Sequence, residues 1–207
     1  MEDRWLAYAK RLQAIASTGL FFGADDFDRE RYQEIGEIAQ QMLSELADVP
    51  IHRIAQLIPD YAVGYTTPKV DVRGAVISDD RILLVQERSD QLWTLPGGYA
   101  DVGLSAADNT AKEISEEANL QVKASKLFAV RHKARHGYKP DVRDFYKFYF
   151  LCEPLDGEVP SPGAETMAAD YFAPSELPPL STGRVIAEDI HMAFEHYRDP
   201  QKPTLFD

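Results

Sequence analysis

The spacing of apolar residues changes near residue 66, from the 3.6-residue period of a helix to the two-residue period of a strand. The helical period is carried, on two segments, by Trp5, Tyr8, Leu12 and Ile15 and by Tyr32, Ile35, Ile38, Met42 and Leu46. The two-residue period begins at Val70 and Val72. The sequence therefore predicts two domains, a small helical domain at residues 1–66 and a larger domain with a sheet at residues 67–207.

The first domain is expected to contain two long amphipathic helices and a third, shorter helix that begins after Pro50. The acidic segment "DDFDRE" precedes the second helix and suits a helix N-terminus. Each long helix would bury one apolar stripe against the other and leave apolar surface for a partner domain or a second subunit. The simplest interpretation is a helical packing domain.

The second domain combines strands with two helices. A hairpin is predicted at "VDVRGAVIS" and "RILLVQER", with a turn at Asp79 and Asp80, followed by a short strand at "LWTLP" and a helix over residues 105–118. Further strands are expected at "KLFAVRH", "RDFYKFYFLCE" and "DYFAP", and a last helix over residues 182–198. Runs of strands separated by helices indicate an α+β fold in which a mixed sheet lies between helices.

The charge balance narrows the choice of partners. The chain has 34 acidic residues against 22 lysines and arginines, a net charge of -12 that disfavours binding of extended nucleic acid. No apolar run approaches the roughly 20 residues of a membrane helix, and the charged start "MEDRWLAYAKR" lacks the apolar centre of a secretory signal. We therefore expect a cytoplasmic protein that binds neither membranes nor nucleic acid polymers, with its single cysteine, Cys152, as a packing thiol.

Three glutamates share one side of the helix that is predicted to follow Ser105. Ser105 suits the N-cap of that helix, and Asn119 suits the left-handed position that ends it. Glu113, Glu116 and Glu117 fall within an arc of roughly 100°. Like charges at i and i+4 repel by roughly 0.2–0.5 kcal/mol, and carboxylates in the last turn oppose the helix dipole by roughly 0.3–1 kcal/mol. Folding preferences alone do not explain this cluster.

A divalent cation would turn this repulsion into attraction, because Mg²⁺ binds carboxylates together with water and substrate phosphates. A solvated acidic face is the alternative for the glutamates taken alone. A Pro-Gly-Gly corner precedes the helix: Pro96 ends a strand, and Gly97 and Gly98 allow bare backbone to approach a ligand or to offer a carbonyl oxygen to a metal. A tight turn is the alternative for the corner. Strand, corner, capped helix and clustered glutamates in this order favour a site for Mg²⁺ or Mn²⁺.

Together these residues resemble the Nudix box, in which a Gly, a Glu, an Arg-Glu pair, a Glu-Glu pair and a final Gly recur at fixed spacing. The matching positions are Gly98, Glu113, Ile114, Glu116, Glu117 and Leu120, and the departures are Leu104 for the first Glu, Lys112 for the Arg and Asn119 for the final Gly. In the family the first Glu and the Arg form an ion pair. The helical start, "TPKVDVRG" and "GGYADVGLS" are similar to a subgroup that hydrolyses nucleoside diphosphates linked to another group, among them CDP-choline and ADP-ribose.

The resemblance implies a Nudix-type α/β/α sandwich after the helical domain, and a pyrophosphatase that uses Mg²⁺ or Mn²⁺. Glu113, Glu116 and Glu117 would bind the metal with the carbonyl of Gly97 and take part in catalysis. Glu165 matches a loop from which related enzymes supply a catalytic glutamate, and a solvated loop carboxylate is the alternative. The helical domain would close a homodimer and cover the substrate pocket. A nucleotide sensor with weak turnover is the second hypothesis, supported by the three departures.

Basic residues in three places are candidates for binding the substrate. The segment "RHKARHGYKPDVR" has five positive charges and one negative charge, and includes Arg131, Lys133 and Arg135; a solvated hairpin loop is the alternative. Arg73 interrupts an apolar strand and Arg88 follows the next one, and an exposed arginine is the alternative for each. Gly98 is expected to contribute through close approach of its backbone.

Overall fold

The computed structural model describes residues 3–23, 25–46, 50–54, 65–155 and 159–207. The chain divides into two compact units. The helical unit comprises Met1–Lys69 and Lys133–Phe145, and the sheet unit comprises Val70–His132 and Tyr146–Asp207. The helical unit therefore includes a segment, Lys133–Phe145, that is distant from its helices in sequence.

Helices α1 (Arg4–Phe22) and α2 (Asp26–Leu46) contact each other through small residues. Gly36 faces Ala16, since a Cβ built on Gly36 would lie 3.6 Å from the Cβ of Ala16. Gly19 lies against the ring of Tyr32, where an added Cβ would come within 2.5 Å of the ring carbons. Small side chains at these positions let the two helices approach closely.

The larger apolar residues of α1 remain exposed. Its buried residues are Leu6, Ala9, Lys10, Gln13 and Ala16. Trp5, Tyr8, Leu12 and Ile15, called here the α1 stripe, are 62%, 47%, 37% and 41% exposed. The predicted helix is confirmed, and the residues that α1 buries are mostly small or polar ones rather than those of this stripe. The neighbouring face carries the small residues, which pack more tightly against a second helix.

A small apolar core holds the described parts of the helical unit together. Its buried members are Leu6, Ala9, Leu43, Ile54 and Val142. Val142 comes from the segment Lys133–Phe145, as does Asp144, whose Oδ1 accepts a hydrogen bond from the Nζ of the buried Lys10 at 3.1 Å. Residues 51–54 are helical, as predicted after Pro50, and the rest of the predicted third helix lies outside the described residues.

Within the described residues, seven strands form one sheet. They are β1 (Lys69–Ser78), β2 (Arg81–Glu87), β3 (Trp93–Thr94), β4 (Val122–His132), β5 (Phe145–Pro154), β6 (Thr166–Phe172) and β7 (Leu205–Phe206). Their order is β3-β2-β1-β5-β4-β7, and β6 also pairs with β2. Asp79 and Asp80, at φ values of 50° and 56°, turn the chain between β1 and β2, which confirms the predicted hairpin. Antiparallel β4–β5 and parallel β4–β7 pairing confirm a mixed sheet.

A helix covers each face of the sheet, because consecutive residues of the central strands alternate between two cores. The core that includes helix α3 (Ala106–Ala118) contains Val76, Leu83, Val85, Ile114 and Ala118. The core that includes helix α4 (Ala187–Arg198) contains Ala75, Ile82, Leu84, Ile190 and Phe194. The predicted sheet between helices is therefore confirmed.

The ends of these helices follow the prediction in one case and differ in the other. Ser105 caps α3, its Oγ accepting from the N–H of Asp108 at 3.1 Å, and Asn119 closes it at φ 49° and ψ 38°. Helix α4 begins at Ala187 rather than residue 182, and Asp189 accepts a hydrogen bond from the N–H of Ile186 at 3.0 Å. Across the described ranges, no helix combines the length and apolar character that crossing a membrane requires.

Candidate active site

The Pro-Gly-Gly corner runs alongside β1 in the sheet unit. The N–H groups of Val72 and Gly74 donate to the carbonyls of Gly98 and Pro96, each at 2.9 Å. Gly97 has a φ of +142°, and a Cβ built on it would lie 2.0 Å from the carbonyl oxygen of Val72. Only glycine fits this position, because any side chain would collide with β1.

Two of the three clustered glutamates of α3 lie against this corner. The N–H of Gly97 donates to Oε2 of Glu117 at 2.8 Å. Glu113 lies against Gly98, where an added Cβ would be 2.8 Å from its Oε2. Glu117 is 6% exposed, and the side chain of Glu113 is 15% exposed. Bare backbone at the corner thus gives both carboxylates the room to lie close to it.

Glu116 has a different environment from the other two. Its side chain is 55% exposed, and Oε2 accepts a hydrogen bond from Nζ of Lys112 at 2.8 Å. Lys112 also lies 3.2 Å from Oδ2 of Asp101 in the preceding loop. Hydrogen bonds to Glu116 and Asp101 raise the pKa of Lys112 above its usual range.

The two enclosed carboxylates are electrostatically unfavourable in their charged form. Burial raises the pKa of Glu117 to about 7, and repulsion from Glu87 and Glu113 adds to the rise, while Arg73 and the N–H of Gly97 oppose it. Burial is also the main cause of the raised pKa of Glu113. Such a pair is stabilised by a positive charge placed between the carboxylates and a ligand.

The loop that carries Glu165 is attached to the same structure. Glu165 itself is exposed. Before it, the carbonyl of Ala164 accepts a hydrogen bond from Nε of Arg88 at 3.0 Å. After it, Oγ1 of Thr166 donates to the backbone carbonyl of Glu117 at 2.7 Å. The backbone around Glu165 is therefore tied both to the end of β2 and to α3.

Comparison with known proteins assigns both parts of the chain to described domains. Residues 3–58 match the profile of a UDP-X-like, N-terminal oligomerisation domain, and residues 68–193 match that of the NUDIX domain. The chain belongs to the Nudix family. The Nudix fold and the hydrolase class that the sequence resemblance implied are thereby confirmed.

Individual Nudix relatives match between two thirds and all of the chain. A Bacillus subtilis (strain 168) protein named "Putative ADP-ribose pyrophosphatase YjhB" is 41% identical over 207 residues, which are 100% of this chain and 99% of that protein. A crystal structure of an ADP-ribose pyrophosphatase from Streptococcus suis is 41% identical with a TM-score of 0.62, and the match covers 68% of this chain and 100% of that chain. A crystal structure of a UDP-X diphosphatase is 33% identical with a TM-score of 0.63 and covers 98% of both chains.

Divalent cations serve Nudix hydrolases generally, and the donors of this site suit one. Among the described residues, no three His, Cys, Asp or Glu side chains are placed as a ready-made metal centre. Mg²⁺ does not require such a centre, since it binds one or two carboxylates and completes its shell with water and substrate phosphates. Glu113 and Glu117 provide two hard oxygen donors whose burial disfavours their charge, so the chemistry of the donor set fits.

The sequence analysis did not single out one carboxylate near this Nudix site, that of Glu87. It ends β2, its side chain is 13% exposed, and its charge raises the pKa of Glu117. Nε of Arg184 lies 3.2 Å from its Oε1. The position of Glu87 at the end of the strand, beside the candidate Arg88, was the sequence signal that could have identified it.

The two strand arginines lie in different surroundings. Arg88 is exposed, and its guanidinium is bonded to the Glu165 loop. Arg73 is 4% exposed, so the alternative that it is an ordinary exposed arginine was wrong. Its Nε and Nη2 donate to Oδ1 and Oδ2 of Asp71 at 3.0 and 2.8 Å. Its partner sits two residues away on the same face of β1.

The three candidate binding residues of the "RHKARHGYKPDVR" segment divide between the two units. Arg131 belongs to the sheet unit, where its guanidinium bonds Asp189 and Glu188 of α4, each at 2.6 Å. Lys133 and Arg135 belong to the helical unit, in one turn of 3₁₀ helix. Lys133 lies 3.4 Å from Asp141, and Arg135 is exposed. Their predicted role in substrate binding stays a prediction.

Proposed function

We propose that this Nudix hydrolase cleaves the pyrophosphate bond of a nucleoside diphosphate linked to a second moiety, of the ADP-ribose or CDP-choline type. The products would be a nucleoside monophosphate and the phosphorylated second moiety. The observation that carries the proposal is the placement of Glu113 and Glu117 against the bare backbone of Gly97 and Gly98. The names of the relatives, ADP-ribose pyrophosphatase and UDP-X diphosphatase, support the substrate class.

The reaction consumes one water molecule. Its oxygen bonds to one phosphorus, the bond from that phosphorus to the bridging oxygen breaks, and the bridging oxygen leaves on the other phosphate. Glu113, Glu116 and Glu117, with the Gly97 carbonyl, would hold Mg²⁺ or Mn²⁺, which when bound screens the phosphates and polarises them for attack. Glu165, on its tethered loop, is the proposed general base that takes the proton of the water.

Binding of the substrate would use positive charge and bare backbone. Arg88, which is bonded to the Glu165 loop, is proposed to bind phosphate together with the backbone of Gly98. Arg73, Arg131, Lys133 and Arg135 stay candidates for binding substrate. Glu116 bonds Lys112 through one carboxylate oxygen, Oε2, so serving the metal would require this carboxylate to share or exchange that partner.

A substrate panel tests this function. The protein would be assayed against ADP-ribose, CDP-choline, UDP-sugars, NADH and diadenosine polyphosphates with Mg²⁺, with Mn²⁺ and with EDTA. We expect turnover that depends on the cation and yields a nucleoside monophosphate. Tight binding without turnover would instead support the sensor hypothesis, which the three departures from the Nudix box favour. A protein that neither binds nor cleaves any of these compounds would overturn both hypotheses.

The Glu117→Gln variant tests the site itself. The substitution keeps the shape of the side chain and removes its charge, so we expect kcat to fall by at least about a hundredfold with little change in thermal stability. Glu153→Gln, at an exposed position on β5, is the matched control and should keep wild-type kcat. Unchanged turnover in Glu117→Gln would remove this assignment.

We further propose that residues 1–66 form a homodimerisation domain and residues 67–207 the hydrolase domain. The exposed α1 stripe supports dimerisation, since a contiguous apolar surface of this kind is typical of an interface. The description of the matched profile as an oligomerisation domain agrees with it. Covering of the substrate pocket by this domain, and a location in the cytoplasm, stay predictions.

A further inference from the structure

Arg73 connects three parts of the sheet unit. Its guanidinium is held by both carboxylate oxygens of Asp71 on β1. Nη1 donates to the carbonyl of Leu95 at 3.1 Å. Nζ of Lys147 on β5 also donates to Oδ1 of Asp71, at 2.6 Å. All three charged side chains are buried, at 7%, 4% and 1% exposure for Asp71, Arg73 and Lys147.

The Leu95 carbonyl lies two residues before the glycine whose N–H binds Glu117. Backbone hydrogen bonds from Val72 and Gly74 flank Arg73 and hold the same corner from β1. The α-carbon of Arg73 itself would be 2.9 Å from a Cβ on Gly97. Backbone and side chain of one residue therefore fix the start of the corner, and the corner fixes Glu117.

Three of the five N–H donors of Arg73 are already bonded, and its 4% exposure leaves little access for a phosphate. Nε, Nη1 and Nη2 each already donate to a partner within the sheet unit. Asp71 supplies one negative charge against the positive charges of Arg73 and Lys147, and burial of all three would be costly without these mutual bonds. Burial alone would raise the pKa of Asp71, but the two cations lower it well below its usual range.

We propose that Asp71, Arg73 and Lys147 are positioning residues, a buried clamp that holds the Pro-Gly-Gly corner where Gly97 meets Glu117. The effect of this clamp on catalysis rests on the proposed function, whereas its role in holding the corner does not. The clamp acts through Gly97, so loosening it should weaken cation binding and kcat and leave the binding of substrate largely unchanged. Direct binding of phosphate by Arg73 predicts the reverse pattern.

The Arg73→Lys variant separates these possibilities. Lysine keeps the charge and can bond Asp71, but it has no planar fork with which to reach the Leu95 carbonyl as well. We expect amide hydrogen exchange in residues 95–99 to become at least about tenfold faster, because the Gly97 N–H is less protected. We also expect the Kd for Mn²⁺, measured by calorimetry without substrate, to rise about 10- to 100-fold, with a similar loss of kcat and a KM within about threefold.

Phe194→Leu is the control for a loss of stability alone. It shortens a buried side chain of α4 and should lower Tm without changing exchange at residues 95–99 or the Kd for Mn²⁺. If Arg73→Lys behaves like this control, or raises KM alone, the clamp is overturned. Absence of Mn²⁺ binding and turnover in the wild type would overturn the proposed function instead, and the exchange result would still decide the clamp.

A second variant keeps the test decisive if Arg73→Lys does not fold. Asp71→Asn combined with Lys147→Met keeps the net charge of the cluster and leaves one acceptor for Arg73 in place of two. The same faster exchange at residues 95–99 is expected. Wild-type exchange in a folded double variant would contradict the proposal.

Discussion

Asn119 shows how one departure from the Nudix box changes the connections of the site. It occupies the left-handed conformation for which the family uses glycine, at φ 49° and ψ 38°. Its Nδ2 lies within hydrogen-bonding distance of the carbonyl of Pro162 at 3.0 Å and of Oγ of Ser161 at 3.2 Å. Glycine would adopt the same backbone more easily but could not reach this loop, which leads to Glu165.

Replacement of Asn119 by the family's glycine should therefore loosen the loop. We expect Asn119→Gly to increase hydrogen exchange over residues 161–165 by about fivefold, since a net hydrogen bond contributes about 0.5–1.5 kcal/mol. Asn119→Asp is the matched variant that separates the hydrogen bond from the change in backbone freedom. It keeps the shape and the tolerance of left-handed backbone, and it lacks only the N–H₂ donor. Exchange as slow as in the wild type for Asn119→Gly would contradict a tether.

The residues of the site were predictable to different depths. Helical spacing placed Glu113 and Glu117 on one flank, and the corner glycines showed where backbone could approach. Spacing does not fix rotamers, so the turn of Glu116 toward Lys112 was not predictable. The burial of Arg73 was not predicted, because it depends on a cluster formed by the fold. Lys147, which bonds Asp71 in that cluster, is 76 residues from Asp71 in sequence.

At the scale of elements, local signals predicted some boundaries and missed others. The Asp79–Asp80 turn and the Ser105 cap were predicted from the residue types at those positions, and both were confirmed. Ile186 precedes α4 without any capping side chain of its own, so the start of that helix was placed too early. β7, at Leu205–Phe206, is too short to display a period and is recruited by pairing with β4.

The segment Lys133–Phe145 is held by its own charges. Asp141 accepts hydrogen bonds from the backbone N–H and Nε of Arg143, both at 3.0 Å, and lies 3.4 Å from Nζ of Lys133. Burial would raise the pKa of Asp141, but the bonds from Arg143 and the charge of Lys133 lower it to about 2. The charged carboxylate is thus favoured in the folded chain.

Stability should reflect this low pKa. Its contribution, of order 2 kcal/mol, is full above the ordinary carboxyl pKa of 3.8 and is lost as pH falls toward 2. We expect Asp141→Asn to lower the free energy of unfolding in urea at pH 7, and the difference from wild type to shrink below pH 4. Asp28→Asn, in an exposed pair with Arg31, should change it by at most about 1 kcal/mol. A difference that stays constant down to pH 3 would refute the role of this charge.

At the scale of the whole molecule, the α1 stripe predicts a second copy of the chain. Replacing Leu12 and Ile15 by Asp places charge on the exposed stripe without disturbing the small residues that contact α2. We expect the double variant to be a monomer by light scattering at concentrations where the wild type is a dimer. Val102→Asp, at a fully exposed apolar residue of the sheet unit, should leave the mass unchanged. A monomeric wild type at tens of micromolar would overturn the dimer.

The composition of the helical unit limits how this protein could be recombined. Its core includes Val142, and its buried Lys10 bonds Asp144. Val142 and Asp144 are both encoded in the middle of the gene rather than with the helices. A fragment that ends at Lys69 would lose both residues, so cutting there does not release a self-contained module. Exchange of the helical segment up to Lys69 between homologues would therefore also have to exchange the loop between β4 and β5, at a second site in the gene.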